Sequence, residues 1–139
     1  MQTTIKEKQE KIISTMSGLT DWFDKYEYLN DLGKSLPALS DAEKSEKNML
    51  PGCQSKVWLT TELNNGHVIL KAESDSNIIQ GMLALLLDVL NNQPPEDIVN
   101  ADLFFITETG LSENLSPSRA NGLSTIVKEL KRHAQDFIG

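Results

Sequence analysis

The spacing of hydrophobic residues along the chain changes its period twice. Over residues 4–16 and 20–36 the spacing is helical, which predicts two amphipathic helices. Over residues 54–74 apolar and polar positions alternate, which is typical of β-strands. The helical spacing returns over residues 78–90 and 117–137. The pattern therefore predicts a short region of strands with helices before and after it.

Two strands and a tight turn are predicted within the alternating region. Asn65-Gly66 is a strong signal for a two-residue type I′ hairpin turn. With this loop, opposed positions add up to 131, and mainly apolar residues share one face: Leu63 faces Val68, Thr61 faces Leu70, and Leu59 faces Ala72. Two strands alone are marginally stable, so helices must cover this face, or a further strand from residues 48–50 must extend it.

Capping residues mark the places where helices are expected to begin. Thr20 is placed to cap the second helix, residues 74–77 (Ser-Asp-Ser-Asn) precede the third, and Ser116-Pro117 opens the last one. Pro95 suits the first turn of a further short helix. The third helix is apolar on most sides, so we expect it at the centre of the domain. Residues 101–115 are ambiguous between helix and loop.

Length, charge and hydropathy limit the classes of protein to be considered. The chain has 139 residues, which suits one domain, and a net charge of −7, which argues against nucleic acid as a partner. This charge indicates either a solvated acidic surface or an acidic docking face for a protein partner. No apolar run reaches membrane-spanning length, and the charged start carries no export signal, so we expect a cytoplasmic protein.

The chain contains one cysteine, Cys53, which follows the turn signal Pro51-Gly52. A lone thiol fits a reducing compartment and cannot form an internal disulfide, which leaves nucleophilic or carrier chemistry. Extending the hairpin register backwards pairs position 53 with position 78, at the start of the third helix. Because the N-terminus of a helix stabilises a thiolate, we expect the pKa of the Cys53 thiol below its ordinary value of about 8.5.

A histidine-assisted hydrolase is a weaker interpretation of this thiol. A cysteine protease needs a histidine within hydrogen-bond reach, and His67 is predicted opposite Asn64, about 36 Å along the strand from Cys53. The distance from Cys53 to His133 is left open by the sequence. One cysteine and two separated histidines lack the spacing of a zinc site, and no phosphate-binding loop occurs.

Arg119 breaks a local rule at the start of the last helix. With Ser116 as the cap, Arg119 takes the third helical position, where a capping box prefers Glu or Gln and a cation costs about 0.3–1 kcal/mol. Either the side chain points into solvent, or it faces an anion such as a thiolate, a persulfide or a carboxylate of a partner.

Four sequence motifs together resemble the SufE family of sulfur acceptors. The most specific lies at residues 52–59 and reads Gly-Cys-Gln-Ser-Lys-Val-Trp-Leu. The second lies at residues 115–123 and reads Leu-Ser-Pro-Ser-Arg-Ala-Asn-Gly-Leu. Residues 36–39 and 74–81 match in order and spacing, so the resemblance runs over nearly the whole chain. Residues 101–115 form a somewhat shorter stretch than is usual in the family.

The resemblance implies an α+β fold in one domain over residues 1–139. Its sheet would be small, curved and mainly antiparallel, with about three strands packed by several helices, as in the U-type iron–sulfur scaffold proteins. It implies a partner, a SufS-type cysteine desulfurase that carries the pyridoxal phosphate, so that this chain needs no cofactor of its own. Cys53 would take persulfide sulfur from that enzyme, stimulate it, and pass the sulfur to a SufBCD-type assembly complex.

The resemblance also directs attention to the surroundings of Cys53. Gln54, Lys56 and Arg119 are candidates for steadying the loop or the partner, and Asp75 is a candidate for touching the partner. A purely structural role stays open for each of the four. Two other functions also stay open: a redox-regulatory thiol protein and an acidic adaptor. The chain is expected to activate a desulfurase rather than to act as a stand-alone enzyme. It is expected to be a monomer or a homodimer.

Overall fold

The computed structural model describes residues 4–19, 21–51 and 55–138 of the chain. Within these ranges, two strands are surrounded by seven α-helices. In chain order the elements are α1 (Ile5–Met16), α2 (Trp22–Lys34), β1 (Val57–Asn64), β2 (His67–Ser74), α3 (Asn77–Leu90), α4 (Pro95–Val99), α5 (Phe105–Glu108), α6 (Leu111–Asn114) and α7 (Pro117–Asp136). The predicted α+β class is confirmed.

The hairpin forms in the predicted register. Strands β1 and β2 are antiparallel, and Leu59 pairs with Ala72, as the rule that opposed positions add up to 131 requires. Asn65 and Gly66 both have positive φ, 53° and 81°, which the type I′ turn demands. One detail of the predicted buried face is wrong: Leu63 is 47% exposed, because the turn end of the hairpin projects beyond the helices that cover its other end.

The predicted third strand shortens to one isolated bridge in the described part of the chain. Met49 pairs with Trp58, and the N–H of Leu50 donates to the carbonyl of Val57 at 2.8 Å. A short 3₁₀ turn, Glu46–Asn48, precedes this bridge, and Pro51 follows it. Since proline has no N–H for a ladder, pairing stops there and the sheet has two strands where about three were expected.

Helix α3 lies at the centre of the domain, as its sequence predicts. Leu86, Val89 and Leu90 are fully buried, and the helix packs against the inner face of the hairpin and against α2. Gly81 allows α2 and α3 to lie close together, since a Cβ added to it would lie 2.8 Å from the Cβ of Leu29. The glycine therefore sets the distance between α2 and α3.

Helix starts agree with most of the predicted caps. The Ser76 hydroxyl caps α3, the Ser116 hydroxyl caps α7, and Pro95 begins α4. Thr20 lies outside the described residues, and the side chain of Asp21 caps α2 by accepting from the N–H of Asp24 at 2.9 Å.

The ambiguous segment, residues 101–115, folds into the two short helices α5 and α6. Gly110 separates them with a φ of 79°, in the left-handed region that favours glycine. The buried side chain of Gln9 ties this segment to α1: its amide donates to the carbonyl of Asp102 at 3.0 Å and accepts from the N–H of Phe105 at 3.1 Å. No helix in the described ranges combines the length and the apolar content that a membrane crossing needs.

A strap, residues 39–50, covers the outer face of the hairpin. One oxygen of Glu73 accepts from the N–H of Leu39 at 2.9 Å, and the other accepts from Lys44 at 3.1 Å. The ammonium of Lys44 also lies 5.5 Å from the centre of the Trp58 ring. Glu73 is therefore a double anchor for the segment that leads into the region of Cys53.

Glu73 makes the attachment of the strap sensitive to acid. The hydrogen bond from Leu39 and then the ammonium of Lys44 hold the pKa of Glu73 below its ordinary value of 4.5. Because the pKa is depressed in the folded state, the carboxylate stabilises the fold above its unfolded-state pKa. That contribution is lost as the pH falls through the folded-state pKa.

We expect Glu73→Gln to lower the free energy of unfolding at pH 7 by about 0.2–1 kcal/mol, the range for exposed ion pairs. The difference from wild type should shrink as the pH falls from 4.5 through the lower folded-state pKa of Glu73, because the wild-type carboxylate becomes protonated over that range and its stabilising interactions are lost. Urea unfolding at several pH values measures both effects. Glu62→Gln, on the exposed part of β1, is the control. An equal pH-dependent loss of stability in this variant would contradict the role of Glu73 as the anchor of the strap.

Candidate functional site

The open end of the hairpin holds two of the candidate residues together. The N–H of Lys56 donates to the carboxylate of Asp75 at 2.9 Å, and the N–H of Asp75 donates to the carbonyl of Lys56 at 3.2 Å. These reciprocal bonds continue the ladder one residue beyond the strands. Both side chains are exposed, so they are accessible to a partner while their backbone is fixed.

A chain of side-chain hydrogen bonds fixes the start of α3 beside this end. The hydroxyl of Ser76 accepts from the N–H of Ile79, and the hydroxyl of Ser74 accepts from the N–H of Ser76. The amide oxygen of Gln80 accepts from the N–H of Ser74 at 2.7 Å, while its nitrogen donates to the carbonyl of Gly33. The end of β2, α3 and the end of α2 are thereby held in one arrangement.

The start of α7 reaches the same place. The hydroxyl of Ser116 accepts from the N–H of Arg119 at 3.4 Å, so Arg119 occupies the third helical position as predicted. Its side chain is exposed. In the described part of the chain, no carboxylate lies within ion-pair distance of its guanidinium.

A cavity of about 400 Å³ opens between these elements. The residues that line it come from the first residues of the hairpin, from the start of α3 and from the start of α7: Ser55, Val57, Ser76, Ile79, Ser116, Ser118, Arg119, Gly122 and Ile126. Four of them carry hydroxyl groups, and Arg119 is the charged one among the described lining residues. The cavity is therefore polar at its rim and apolar at Val57, Ile79 and Ile126.

The electrostatics of the cavity favour an anion. Helices α3 and α7, of 14 and 20 residues, both begin at it, so the partial positive charges of two helix N-termini converge there. The guanidinium of Arg119 adds a full positive charge. Three positive features therefore surround one space, which makes it suited to a negatively charged group.

Gly122 forms part of the cavity wall in the second turn of α7. It is buried, yet apart from its chain neighbours and the adjacent backbone of its own helix no described atom lies within 4 Å of the position that a Cβ would take. Glycine in a helix interior costs roughly 1 kcal/mol relative to alanine, and packing against described residues does not require it here. The space above Gly122 therefore belongs to the cavity.

Cys53 and Gln54 lie outside the described residues. Ser55, which lines the cavity, is two positions after Cys53 in the sequence. Of the four supporting candidates, Arg119 lines the cavity, and Lys56 and Asp75, which bond to each other, each adjoin a lining residue in the sequence.

Neither histidine lies near the cavity. His67 pairs with Asn64 beside the hairpin turn, at the opposite end of the strands, as predicted. His133 is 14 residues beyond Arg119 on α7, about 21 Å along the axis, and its Nδ1 lies 3.2 Å from the Thr61 hydroxyl. Burial and then the nearby Arg132 lower the pKa of His133, so it is neutral at pH 7. A histidine base at the cavity is therefore absent from the described residues.

No group of three or more His, Cys, Asp or Glu side chains in the described ranges could hold a metal ion. The cavity wall itself offers hydroxyl groups and a guanidinium, which are poor ligands for a divalent cation.

Three cavity residues were not singled out from the sequence: Ser55, Ser118 and Gly122. Gly122 carried a signal that would have found it, since a glycine inside a strongly helical segment violates local propensity without a turn to explain it. The two serines carried no signal beyond their place in the motifs at residues 52–59 and 115–123, because exposed serine is common at helix starts and after turns.

Comparison with known proteins agrees with the motifs. Residues 10–134 match the family described as "SufE: Fe-S metabolism associated domain". An uncharacterised SufE-like protein of Rhizobium etli is 36% identical over 131 residues, which cover 91% of this chain and 88% of that protein.

The fold also has a counterpart among solved structures. The solution structure of a hypothetical protein from Thermus thermophilus superposes with a TM-score of 0.76 over 93% of this chain and 94% of that one. At 18% identity, this likeness concerns the arrangement of helices and strands alone.

Proposed function

Because the chain belongs to the SufE family, we propose that it is a sulfur carrier that receives persulfide sulfur on Cys53 from a cysteine desulfurase. Family membership supports sulfur transfer in iron–sulfur metabolism and an interaction with a cysteine desulfurase. The observation that carries the proposal is that the matched region, residues 10–134, contains the one cysteine of the chain. The finer assignments that follow are part of this proposal.

The proposed reaction exchanges one sulfur–sulfur bond for another. The Cys53 thiolate attacks the outer sulfur of the persulfide on the desulfurase. A bond forms between Cys53 Sγ and that sulfur, the bond to the donor cysteine breaks, and its electron pair leaves on the donor cysteine as a thiolate. The hydrogen of the persulfide travels with the transferred sulfur, so no oxidant or reductant is consumed.

The cavity supports this chemistry through charge. Attack requires a thiolate, and the products include a persulfide, which also ionises. Two helix N-termini and Arg119 stabilise negative charge at the cavity, within reach of a residue two positions before Ser55. No general base is needed if the thiol is already ionised, which agrees with the distance of both histidines from the cavity.

The partners are proposed at the level of their chemistry and type. The donor is a SufS-type desulfurase, which holds the pyridoxal phosphate, and the acceptor is a SufBCD-type cluster assembly complex in the cytoplasm. Transfer to Cys53 frees the donor cysteine for another turnover, so this chain stimulates the desulfurase and has no cofactor of its own. Gln54, Lys56 and Asp75 would position the loop or contact the partner.

The test is to incubate the protein with a cognate desulfurase and free cysteine. Mass spectrometry should find one added sulfur atom on the peptide that contains Cys53, removable by a reductant, and sulfide release should be faster than with the desulfurase alone. Sulfenic acid on Cys53 after peroxide treatment, with no sulfur gained from the desulfurase, would instead identify a redox-regulatory thiol.

Arg119→Ala should raise the pKa of the Cys53 thiol and slow its alkylation by iodoacetamide at pH 7 about threefold, because a nearby positive charge is lost. Arg119→Lys should restore most of the rate. Arg132→Ala is the matched control, since it removes the same charge from the far end of α7, where Arg132 pairs with Glu129 at 2.8 Å. Equal slowing of alkylation by both alanine variants would show a general effect of net charge and would contradict a specific effect of Arg119 on the Cys53 thiol.

A further inference from the structure

The strap, residues 39–50, ends directly before the segment that carries Cys53. Leu50, its last residue, precedes Cys53 by three positions in the sequence. The N–H of Leu50 donates to the carbonyl of Val57 at 2.8 Å, and its side chain is buried. Residues 51–56 therefore begin and end at two residues that are bonded to each other. The position of Leu50 determines where this segment starts.

The two ends of this segment are held in different ways. The end after Cys53 continues into the ladder of the hairpin, in which Val57 pairs with Ser74. The end before Cys53 has one isolated bridge, Met49 with Trp58, in place of a ladder. A ladder fixes a strand through many paired residues, whereas one bridge supplies a single pair. Holding the strap against the hairpin therefore depends on side chains.

Glu73 makes this attachment. It lies opposite Trp58 in the ladder, and its carboxylate accepts from the N–H of Leu39 and from the ammonium of Lys44. The side chain of Glu73 is 19% exposed, so the strap covers most of it. Because two strap residues bond to the two oxygens of one side chain, that side chain fixes the position of the strap along the hairpin. Glu73 thereby limits where Leu50, at the end of the strap, can lie.

The ion pair between Glu73 and Lys44 is better suited to setting position than to adding stability. Ion pairs at partly exposed sites add little to the free energy of unfolding, whereas setting the register between two elements is their best-attested structural use. A second ion pair between hairpin and strap, Lys71 with Glu43, is longer at 3.5 Å, and the Lys71 side chain is 56% exposed. Of these two pairs, the one at Glu73 is shorter and more covered, and it therefore restricts the strap more.

We propose that Glu73 is a positioning residue for sulfur transfer, because it fixes the strap and with it the start of the segment that carries Cys53. This inference rests on the proposed sulfur-carrier function. Glu73 acts through the strap and takes no part in the exchange of sulfur–sulfur bonds. When the strap is loosened, the segment also populates arrangements that do not react. The rate of transfer within the complex with the desulfurase then falls in proportion to the reactive fraction.

The first test measures amide hydrogen exchange in the full chain labelled with ¹⁵N. Glu73→Gln should accelerate exchange at Leu50 and at Leu86 in the core by the same factor, about threefold, because opening of the strap and global unfolding both break the ion pair. Thr109→Val is the control: it removes the bond from the Thr109 hydroxyl to the carbonyl of Phe105 on α5 and should accelerate Leu86 alone. An unchanged Leu50 amide in Glu73→Gln, or an accelerated one in Thr109→Val, would overturn the proposal.

The second test measures sulfide release by a cognate desulfurase at increasing concentrations of this chain. Glu73→Gln should lower the maximal stimulated rate about threefold, the size of one such ion pair. The half-saturating concentration should stay within about twofold of wild type, because a covered carboxylate contributes little to docking. Lys44→Met should act as Glu73→Gln does, whereas Lys44→Arg, which keeps the cation, and Thr109→Val should match wild type.

The two proposals fail in different ways. A wild-type chain that gains no sulfur from the desulfurase would overturn the carrier proposal, and the positioning role with it. A wild-type chain that gains sulfur, beside a Glu73→Gln chain of unchanged maximal rate, would overturn the positioning role alone.

Discussion

Cys53→Ser is expected to abolish sulfur acceptance completely while leaving the fold intact. A serine hydroxyl stays protonated at neutral pH and does not attack a persulfide, so no sulfur atom should be found on the protein after incubation with a desulfurase and free cysteine. Stimulation of the desulfurase should fall to the background rate, because the donor cysteine is no longer emptied. Intact-protein mass spectrometry and sulfide release measure the two effects.

A double variant tests whether the position of the thiol in the chain matters, because the protein still contains one cysteine. Cys53→Ser combined with Ser55→Cys moves the sulfur two residues along the chain, to a residue that lines the cavity. We expect this double variant to remain inactive with the desulfurase although it still reacts with iodoacetamide. If Cys53→Ser alone retained full stimulation of the desulfurase, the protein would be an acidic adaptor and the carrier proposal would fail.

Gly81→Ala is expected to give the largest loss of stability of any alanine substitution at the glycines that the structure describes. The new Cβ would contact the backbone carbonyl of Leu29 and lie 2.8 Å from its Cβ, so α2 and α3 must separate at the most buried part of the core. Overpacking of this kind costs about 1–3 kcal/mol, and occasionally more. Urea unfolding should show a lower midpoint with an unchanged slope.

Gly122→Ala is the matched control, since it is the same substitution at another buried helical glycine. Its Cβ meets no described atom within 4 Å, so the gain in helix propensity should dominate and raise the free energy of unfolding by up to about 1 kcal/mol. A stabilised Gly122→Ala beside a destabilised Gly81→Ala would show that close approach to Leu29, and not loss of glycine, governs the effect. Similar changes in both variants would refute this account.

The local structure followed from short-range rules with few errors. The hairpin register was predictable because a two-residue turn fixes every opposed pair once the loop is known, and the caps of α3 and α7 because their serines bond within three residues. The two errors had different causes. Leu63 is exposed because the turn end of the hairpin projects beyond the helices, whereas the third strand reduces to one bridge at Met49 because Pro51 follows it.

Of the candidate site, the sequence by itself determined the identity of the thiol and its neighbours along the chain. Cys53 is the one cysteine, its motif names a family, and the hairpin register placed its flank at the start of α3. These are properties of consecutive residues or of a ladder with a fixed register. They need no knowledge of how helices pack.

Only the tertiary structure determined which residues lie around the segment next to Cys53. The cavity exists because α3 and α7, which begin 40 residues apart, pack with their N-termini together. Likewise, the start of α5 is held in place by Gln9 of α1, which bonds to the backbone of Asp102 and Phe105. Such features depend on contacts between residues far apart in sequence, and hydrophobic periodicity carries no information about which helix ends meet.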